Sequence, residues 1–216
     1  MSRITVLGGT GYAGSAIAAE AARRGHQVRA VARKAPDAAH RLPDVAYLGG
    51  SVTEPVFLES VAGESDAVVS ALSPRGPMLG QVRIVNAQLI GLADKLGFRL
   101  AVVLGAGSLF TEPGGPRLAD LPSFPAAFKP EADEMAEVLS DLKASPAGVD
   151  WFAVSPASGF GAFAPGQTLG RYRVGGDVVL ADAGGNSYIS AGDLANAVLD
   201  EIERPAHRRA RFTVAY

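Results

Sequence analysis

The chain has 216 residues, a formal net charge of −2, 48% hydrophobic residues and no cysteine. This length suits one large α/β domain with a sizeable core and is short for two domains. The slightly acidic net charge does not indicate the basic surface that binds nucleic acid. The missing cysteines exclude disulfides and thiolate chemistry. The three histidines, His26, His40 and His207, are too far apart in sequence to form a ligand-spaced motif, so no metal site is predicted.

Short apolar runs of strand length alternate with stretches of helical period along the chain. In order, we predict strand Ile4–Leu7, helix Ser15–Arg24, strands Val28–Ala32 and Val45–Leu48, helix Val56–Val61, strand Ala67–Leu72, helix Val82–Leu96, strand Leu100–Leu104, helix Glu131–Lys143, strand Trp151–Ser155, helix Leu194–Glu203 capped by Ser190 or Asp193, and strand Phe212–Val214. This alternation predicts a single Rossmann-type α/β domain over residues 1–216, with a doubly wound, mostly parallel sheet flanked by helices on both faces.

Two long segments, at about residues 105–130 and 156–192, are rich in glycine and proline. The second contains two short strand-like pieces, Leu169–Val174 and Val178–Ala181. Long loops after late strands of an open α/β sheet commonly form the wall over a ligand. We therefore expect both segments on the substrate side of the domain.

The N-terminal segment is not predicted to be a secretory signal, because Glu20 falls in the supposed cleavage region and small turn-forming residues interrupt the apolar run. No segment offers the roughly 18 uninterrupted apolar residues that a membrane span needs. We expect a cytoplasmic protein with no membrane partner.

The clearest motif is Gly8–Gly14, with the sequence GGTGYAG, which follows the first predicted strand and opens the first helix. In this setting Gly9, Gly11 and Gly14 satisfy the dinucleotide-binding pattern G-x-G-x-x-G. A helix N-terminus offers N–H groups and a positive dipole end to a pyrophosphate, which bulky side chains would keep out. The predicted cofactor contacts are Gly8, Thr10, Gly11, Tyr12, Ala13 and Gly14; the alternative is a tight glycine turn without a ligand.

Arg33 and Lys34 stand at the end of the second predicted strand, where NAD-binding proteins carry a carboxylate for the ribose hydroxyls. A carboxylate would repel a 2′-phosphate, whereas a guanidinium can clasp it and stack on adenine. This predicts NADPH as the cofactor, with NADH as the alternative. The competing interpretation is a pair of solvated surface cations.

Further cofactor contacts are predicted at other strand ends, because the carboxyl ends of parallel strands meet at one edge of the sheet. They are Ser51 and Val52 after the third strand, Ala71, Leu72 and Ser73 at the fourth, Gly105 after the fifth, and Ser155 and Pro156 at the sixth.

Several stretches resemble the atypical short-chain dehydrogenase/reductase superfamily, which includes NmrA-like proteins, and within it the NADH-flavin reductase group of small NAD(P)H-binding proteins. They are the glycine motif with Arg33, Val103–Leu109, Phe124–Pro125, Phe128–Ala132, Trp151–Pro156 and Gly184–Ser190. The resemblance covers nearly the whole chain and implies a Rossmann fold with a bound nicotinamide cofactor. Related proteins often carry an aspartate for adenine where Ser51 stands, so adenine would depend on backbone groups and Arg33.

Main-line members of the superfamily use a Tyr-x-x-x-Lys motif, but here Phe128 and Ala132 occupy the expected positions. Phenylalanine cannot protonate an alkoxide, so reduction of a simple ketone is poorly supported. The remaining catalytic candidates are Ser108, where the superfamily places its active-site serine, and Lys129. Their alternatives are a turn-capping serine and a solvated loop lysine, and the acidic cluster Glu131–Glu137 is expected to be a solvated helix face.

Three functions are compatible with these features. The leading hypothesis is an NAD(P)H-dependent oxidoreductase that transfers a hydride to a small-molecule acceptor, a flavin or a similar conjugated compound. The second is a non-catalytic NADP-binding sensor of NmrA type, acting through a protein partner. The third is an enzyme similar to nucleotide-sugar epimerases and dehydratases, which usually keep the tyrosine and carry a larger substrate domain. The sequence leaves the oligomeric state open.

Overall fold

The computed structural model describes all residues from Met1 to Tyr216 and contains eight strands and five α-helices. In chain order they are β1 (Arg3–Leu7), α1 (Tyr12–Arg23), β2 (Gln27–Ala32), β3 (Val45–Gly49), α2 (Pro55–Ala62), β4 (Ala67–Ser70), α3 (Gln81–Leu96), β5 (Arg99–Val103), α4 (Lys129–Ala144), β6 (Trp151–Pro156), β7 (Arg173–Gly175), α5 (Ala191–Glu203) and β8 (Ala210–Ala215). No helix combines the length and the apolar character that crossing a membrane requires.

All eight strands form one sheet in the order β3-β2-β1-β4-β5-β6-β8-β7. Every neighbouring pair is parallel except β7 with β8. The chain winds outward from β1 in both directions, so the strand order reverses between β1 and β4. In open α/β sheets, ligands bind outside the carboxyl ends of the strands at this reversal point. The predicted Rossmann-type doubly wound fold is therefore confirmed.

Two hydrophobic layers, one on each face of the sheet, make up the core. Alternate residues of the central strands point to opposite faces. Those on one face, such as Val6 and Val154, pack with α1 and α5. Those on the other face, such as Leu7 and Trp151, pack with α2, α3 and α4. Because both faces are covered, the central strands are mostly apolar and the sheet edge carrying the loops is left for binding.

The late loops contain less strand than the sequence predicted. Of the pieces Leu169–Val174 and Val178–Ala181, only Arg173–Gly175 forms a strand, and Val178 makes a single bridge to Phe110. The backbone N–H of Leu169 donates instead to the Asp193 carboxylate, at 2.7 Å, which holds it against α5 and away from the sheet. Strand propensity is overridden here by a buried acceptor on another element.

Glu134 corrects the expectation that the whole acidic cluster of α4 is solvated. Its side chain is buried, at 7% relative exposure, and accepts hydrogen bonds from the backbone N–H groups of Gly80 (2.6 Å) and Arg83 (2.9 Å). The first N–H groups of a helix have no partner within the helix. Glu134 therefore caps α3 from a neighbouring helix and fixes the loop that follows β4.

Replacing Glu134 by alanine should lower the free energy of unfolding by about 1–3 kcal/mol, because two buried N–H groups lose their acceptor. Glu137→Ala is the matched control, since its carboxylate pairs with Arg83 while 57% exposed and such a surface pair contributes about 1 kcal/mol or less. Urea unfolding of both variants checks this. Equal losses for the two variants would contradict the assigned capping role.

Candidate functional site

The turn between β1 and α1 is built so closely against its neighbours that it requires glycine. Gly8 has a positive φ of 76°, and a Cβ there would lie 2.6 Å from the carbonyl oxygen of Ala71 at the end of β4. A Cβ on Gly14 would lie 2.2 Å from the carbonyl oxygen of Gly8. These contacts bring the first turn of α1 directly against the carboxyl ends of β1 and β4.

Gly11 differs from the other glycines of this turn because packing does not require it. It is exposed, and the only contact that an added Cβ would make is to the carbonyl oxygen of Gly8, at 3.2 Å. It occupies the N-cap of α1 without a side-chain cap. The N–H groups of Tyr12, Ala13 and Gly14 that follow donate no hydrogen bond within the protein. This open helix end is suited to an anion such as a pyrophosphate.

Tyr12 connects this turn to a segment that we call the strap, residues 160–168, in the loop after β6. Its hydroxyl donates to the carbonyl of Pro165 at 3.2 Å, and its ring lies 5.1 Å from that of Phe160. Partial burial raises the pKa of Tyr12, which keeps the phenol protonated as a donor. The strap is thereby held over the first turn of α1.

Two further tyrosines and one aspartate hold the strap. Tyr188 donates to the carbonyl of Ala164. Tyr216 donates its single hydroxyl proton to Asp193 (2.6 Å), the shorter contact, and the same hydroxyl lies 2.9 Å from the carbonyl oxygen of Gln167. Burial of Asp193 disfavours its charge, but the hydrogen bond from Tyr216 and those from two backbone N–H groups outweigh it and lower its pKa. From the sequence, Asp193 is only a possible cap of the last helix, and Tyr216 is not singled out.

Arg33 and Lys34 follow β2 directly and are exposed. Neither makes a hydrogen bond or an ion pair with another residue. The loops after β2 and β3 touch, since a Cβ on Gly49 would lie 3.2 Å from the backbone nitrogen of Ala35. Beyond β3, Ser51 is exposed with its hydroxyl 2.7 Å from that of Thr53. The structure therefore places two uncompensated cations at the β2 side of the reversal point.

The remaining predicted cofactor residues divide into three groups by exposure. Ala71, Leu72, Ser73 and Gly105 are partly or fully exposed at the loop edge of the sheet, and nothing lies within 4 Å of a Cβ placed on Gly105. Val52 is largely buried. Ser155 and Pro156 are buried at the end of β6, so in this structure they underlie the edge and present no open surface.

The two catalytic candidates both have partners within the protein. Ser108 is buried, and its Oγ accepts a hydrogen bond from Arg211 at 2.8 Å; Arg211 also donates to Asp177 at 2.7 Å. This arrangement joins the loop after β5 to β8. Lys129 is partly exposed, with its Nζ 3.3 Å from Asp133. Neither side chain offers a free acid or base at the loop edge, and neither has a part in the function proposed below.

Phe128 and Ala132, which stand where the tyrosine and lysine are expected, differ in their surroundings. A Cβ on Gly107 would lie 2.6 Å from the Cβ of Ala132, so the start of α4 packs directly on the loop after β5. The side chain of Phe128 is 47% exposed. The guanidinium of Arg75 lies over this ring, 5.8 Å from its centre. Nothing in the sequence alone pointed to this arginine.

The pattern of glycines, open N–H groups and unpaired cations is that of a dinucleotide site, and comparison with known proteins agrees. A family model described as NAD(P)H-binding matches residues 8–205. The chain belongs to the NAD(P)H-binding family. The match extends from the glycine turn to just beyond α5, so it includes both long loops as well as the predicted cofactor-binding residues.

Comparison with three similar proteins shows how much of the chain the similarity covers. The uncharacterised protein YwnB of Bacillus subtilis (strain 168) is 41% identical over 98% of this chain and 97% of its own. A solved structure from Bacteroides thetaiotaomicron, provisionally named an epimerase, is 34% identical with a TM-score of 0.87, over 99% of this chain and 96% of that chain. Another, from Streptococcus pneumoniae TIGR4, provisionally named an NADH-flavin reductase, is 30% identical with a TM-score of 0.80, over 100% and 99%.

Gly11→Val should strongly weaken binding of NADPH and NADH while leaving the fold intact. The branched side chain would stand at the open helix end, where the pyrophosphate approaches, yet it meets only one carbonyl oxygen of the protein. Gly91→Val in α3 is the control, because a Cβ there meets nothing within 4 Å and the position is remote from the turn. Fluorescence titration with each dinucleotide, beside a thermal melt, measures both properties; undiminished affinity in Gly11→Val would remove the assigned pyrophosphate site.

Proposed function

We propose that this protein is an NADPH-dependent reductase whose acceptor is a flavin or a similar conjugated compound. The observation that carries the proposal is an open anion site at α1 combined with the lack of a side-chain O–H acid at position 128. The family match and the relative provisionally named an NADH-flavin reductase support an oxidoreductase in general.

The cofactor half of the proposal assigns a role to each open group at the reversal point of the sheet. The N–H groups after Gly11 would bind the pyrophosphate, and Arg33 would clasp the 2′-phosphate of NADPH. The strap, held by Tyr12, would lie over the nicotinamide half and limit the access of water to it. When bound, the reduced nicotinamide supplies a hydride.

The acceptor half follows from the proton balance. Hydride addition to a ketone makes an alkoxide, which needs an acid or an oxyanion stabiliser, and Phe128 has no O–H to give. Hydride addition to a flavin leaves a negative charge that spreads through the ring system. Water can then supply the proton, so that one NADPH and one proton convert the oxidised flavin to the reduced flavin and NADP⁺. A conjugated acceptor is therefore the class that these residues can serve.

A second candidate is a non-catalytic sensor of the NADPH pool, because the missing tyrosine fits a protein that binds the cofactor without turning it over. Such a sensor would act through a protein partner that recognises the strap over the first turn of α1. An epimerase activity ranks third despite the name of one relative, since the proton-transferring tyrosine of such enzymes has no counterpart at Phe128.

Replacing Arg33 and Lys34 together by alanine should weaken NADPH binding about ten- to a hundredfold and NADH binding far less. The reason is the loss of about 1.5–3 kcal/mol of charge-assisted hydrogen bonding to the 2′-phosphate. Arg33→Ala alone should give most of this effect, because Lys34 is a flexible point charge. Lys143→Ala is the control, being an exposed lysine in the last turn of α4 with no ion pair. Dissociation constants are measured at one salt concentration, since exposed charge interactions are screened; a ratio of NADPH to NADH affinity near one in the parent would favour NADH as the cofactor.

Phe128→Tyr should leave flavin reduction nearly unchanged and should not create efficient ketone reduction. Solvent already protonates the reduced flavin, and with Ala132 in place the variant still lacks the lysine of the Tyr-x-x-x-Lys motif. Steady-state NADPH oxidation with flavins, quinones and simple ketones measures this in the parent and the variant. Ketone turnover by the parent above about 1 s⁻¹, an ordinary enzymatic rate, would show that another residue acts as the acid.

A further inference from the structure

We propose that Arg75 and Phe128 form the seat of the acceptor, and that this seat selects planar acceptors with a phosphate on their side chain. In terms of flavins, the seat favours riboflavin phosphate over riboflavin. This inference rests on the proposed function, because it specifies the acceptor class of that same site.

Phe128 is the N-cap residue of α4 and stands four residues before Ala132, so both lie at the first turn of this helix. Ala132 packs on Gly107, in the loop after β5, which brings this end of α4 to the carboxyl end of β5. The space next to Gly105 is open there. The guanidinium of Arg75 lies over one face of the Phe128 ring, and the half-exposed side chain leaves the rest of the ring as a platform on which a planar conjugated ring can stack.

Arg75 adds a cation with free donors to this platform. Its Nε donates to Glu131 at 2.8 Å, but its two terminal nitrogens make no hydrogen bond, and the side chain is 64% exposed. Glu131 therefore holds the stem of the guanidinium and leaves the outer fork free. Such a fork matches the geometry of a phosphate group.

The other cations near the start of α4 lack this freedom. Arg117 donates through two nitrogens to Asp120, and Lys129 lies 3.3 Å from Asp133. Arg75 comes from the loop after β4, the strand at which the sheet order reverses, so it stands on the cofactor side of Phe128. Among these cations, Arg75 alone therefore has donors free to bind the anionic tail of an acceptor stacked on the ring.

The test is an equilibrium titration of the full chain, saturated with NADP⁺ so that no turnover occurs, with riboflavin and with riboflavin phosphate. The two ligands share the isoalloxazine ring and differ by the phosphate, and quenching of flavin fluorescence reports binding of each. We expect the phosphate form to bind about three- to tenfold more tightly, the range for one well-oriented but exposed charge contact.

Four variants separate the ring from the charge. Arg75→Ala should abolish the preference while leaving riboflavin affinity nearly unchanged, and Arg75→Lys should retain part of it. Glu131→Gln should increase the preference, because it removes a negative charge beside the phosphate. Phe128→Ala should weaken both flavins by the same factor. Arg83→Ala is the control, since that arginine pairs with Glu137 and Asp141 on the outer side of α3 and α4.

Equal affinity for the two flavins, or a preference that survives Arg75→Ala, would overturn the seat, and so would the absence of binding by either flavin. The proposed function fails separately. If riboflavin phosphate binds through Arg75 but NADPH is never oxidised in its presence, the seat stands and the reductase does not. If flavins are reduced without any phosphate preference, the reductase stands and the seat is wrong.

Discussion

The close approach of α1 to the carboxyl ends of β1 and β4 is the constraint on which the rest of the structure depends. Gly8 and Gly14 have no room for a Cβ because each would meet a backbone oxygen at less than 3 Å. This packing aims the first turn of α1 at the reversal point of the sheet and leaves three N–H groups without partners. A Cβ on Gly11, by contrast, would meet only the carbonyl oxygen of Gly8, at 3.2 Å, and the proposed pyrophosphate gives a further reason for a residue without a side chain there.

The loops over this edge are organised around that helix end. Two tyrosine hydroxyls, from the first turn of α1 and from the loop before α5, donate to carbonyls of the strap at Pro165 and Ala164. A third, from the C-terminal residue, lies 2.9 Å from the carbonyl oxygen of Gln167. The strap therefore has a fixed position without regular secondary structure. On the other side of the edge, Arg75 and Phe128 bring together the loops after β4 and β5, so the proposed cofactor and acceptor sites would have separate walls.

The sheet and the five helices could be predicted because their signals are local, with apolar runs for strands, helical period between them and glycine at the first turn. Contacts between residues distant in sequence could not. The sequence predicts a solvated Glu134, because nothing near it in the chain indicates the N–H groups of α3, 54 and 51 residues away, from which it accepts hydrogen bonds. Ser108 is a catalytic candidate by the position of the superfamily's active-site serine, and its neighbours in the chain give no sign of its partner Arg211, 103 residues away. Arg75 could not be found because Phe128 and Glu131 lie on another element.

The central claim is that the glycine turn binds a nicotinamide dinucleotide. Isothermal titration of the parent protein with NADPH tests it most directly, since it needs neither an acceptor nor a variant. We expect saturable binding of one NADPH per chain, competed by NADP⁺. No saturable binding up to about 1 mM, the upper end of ordinary substrate affinities for enzymes, would contradict it.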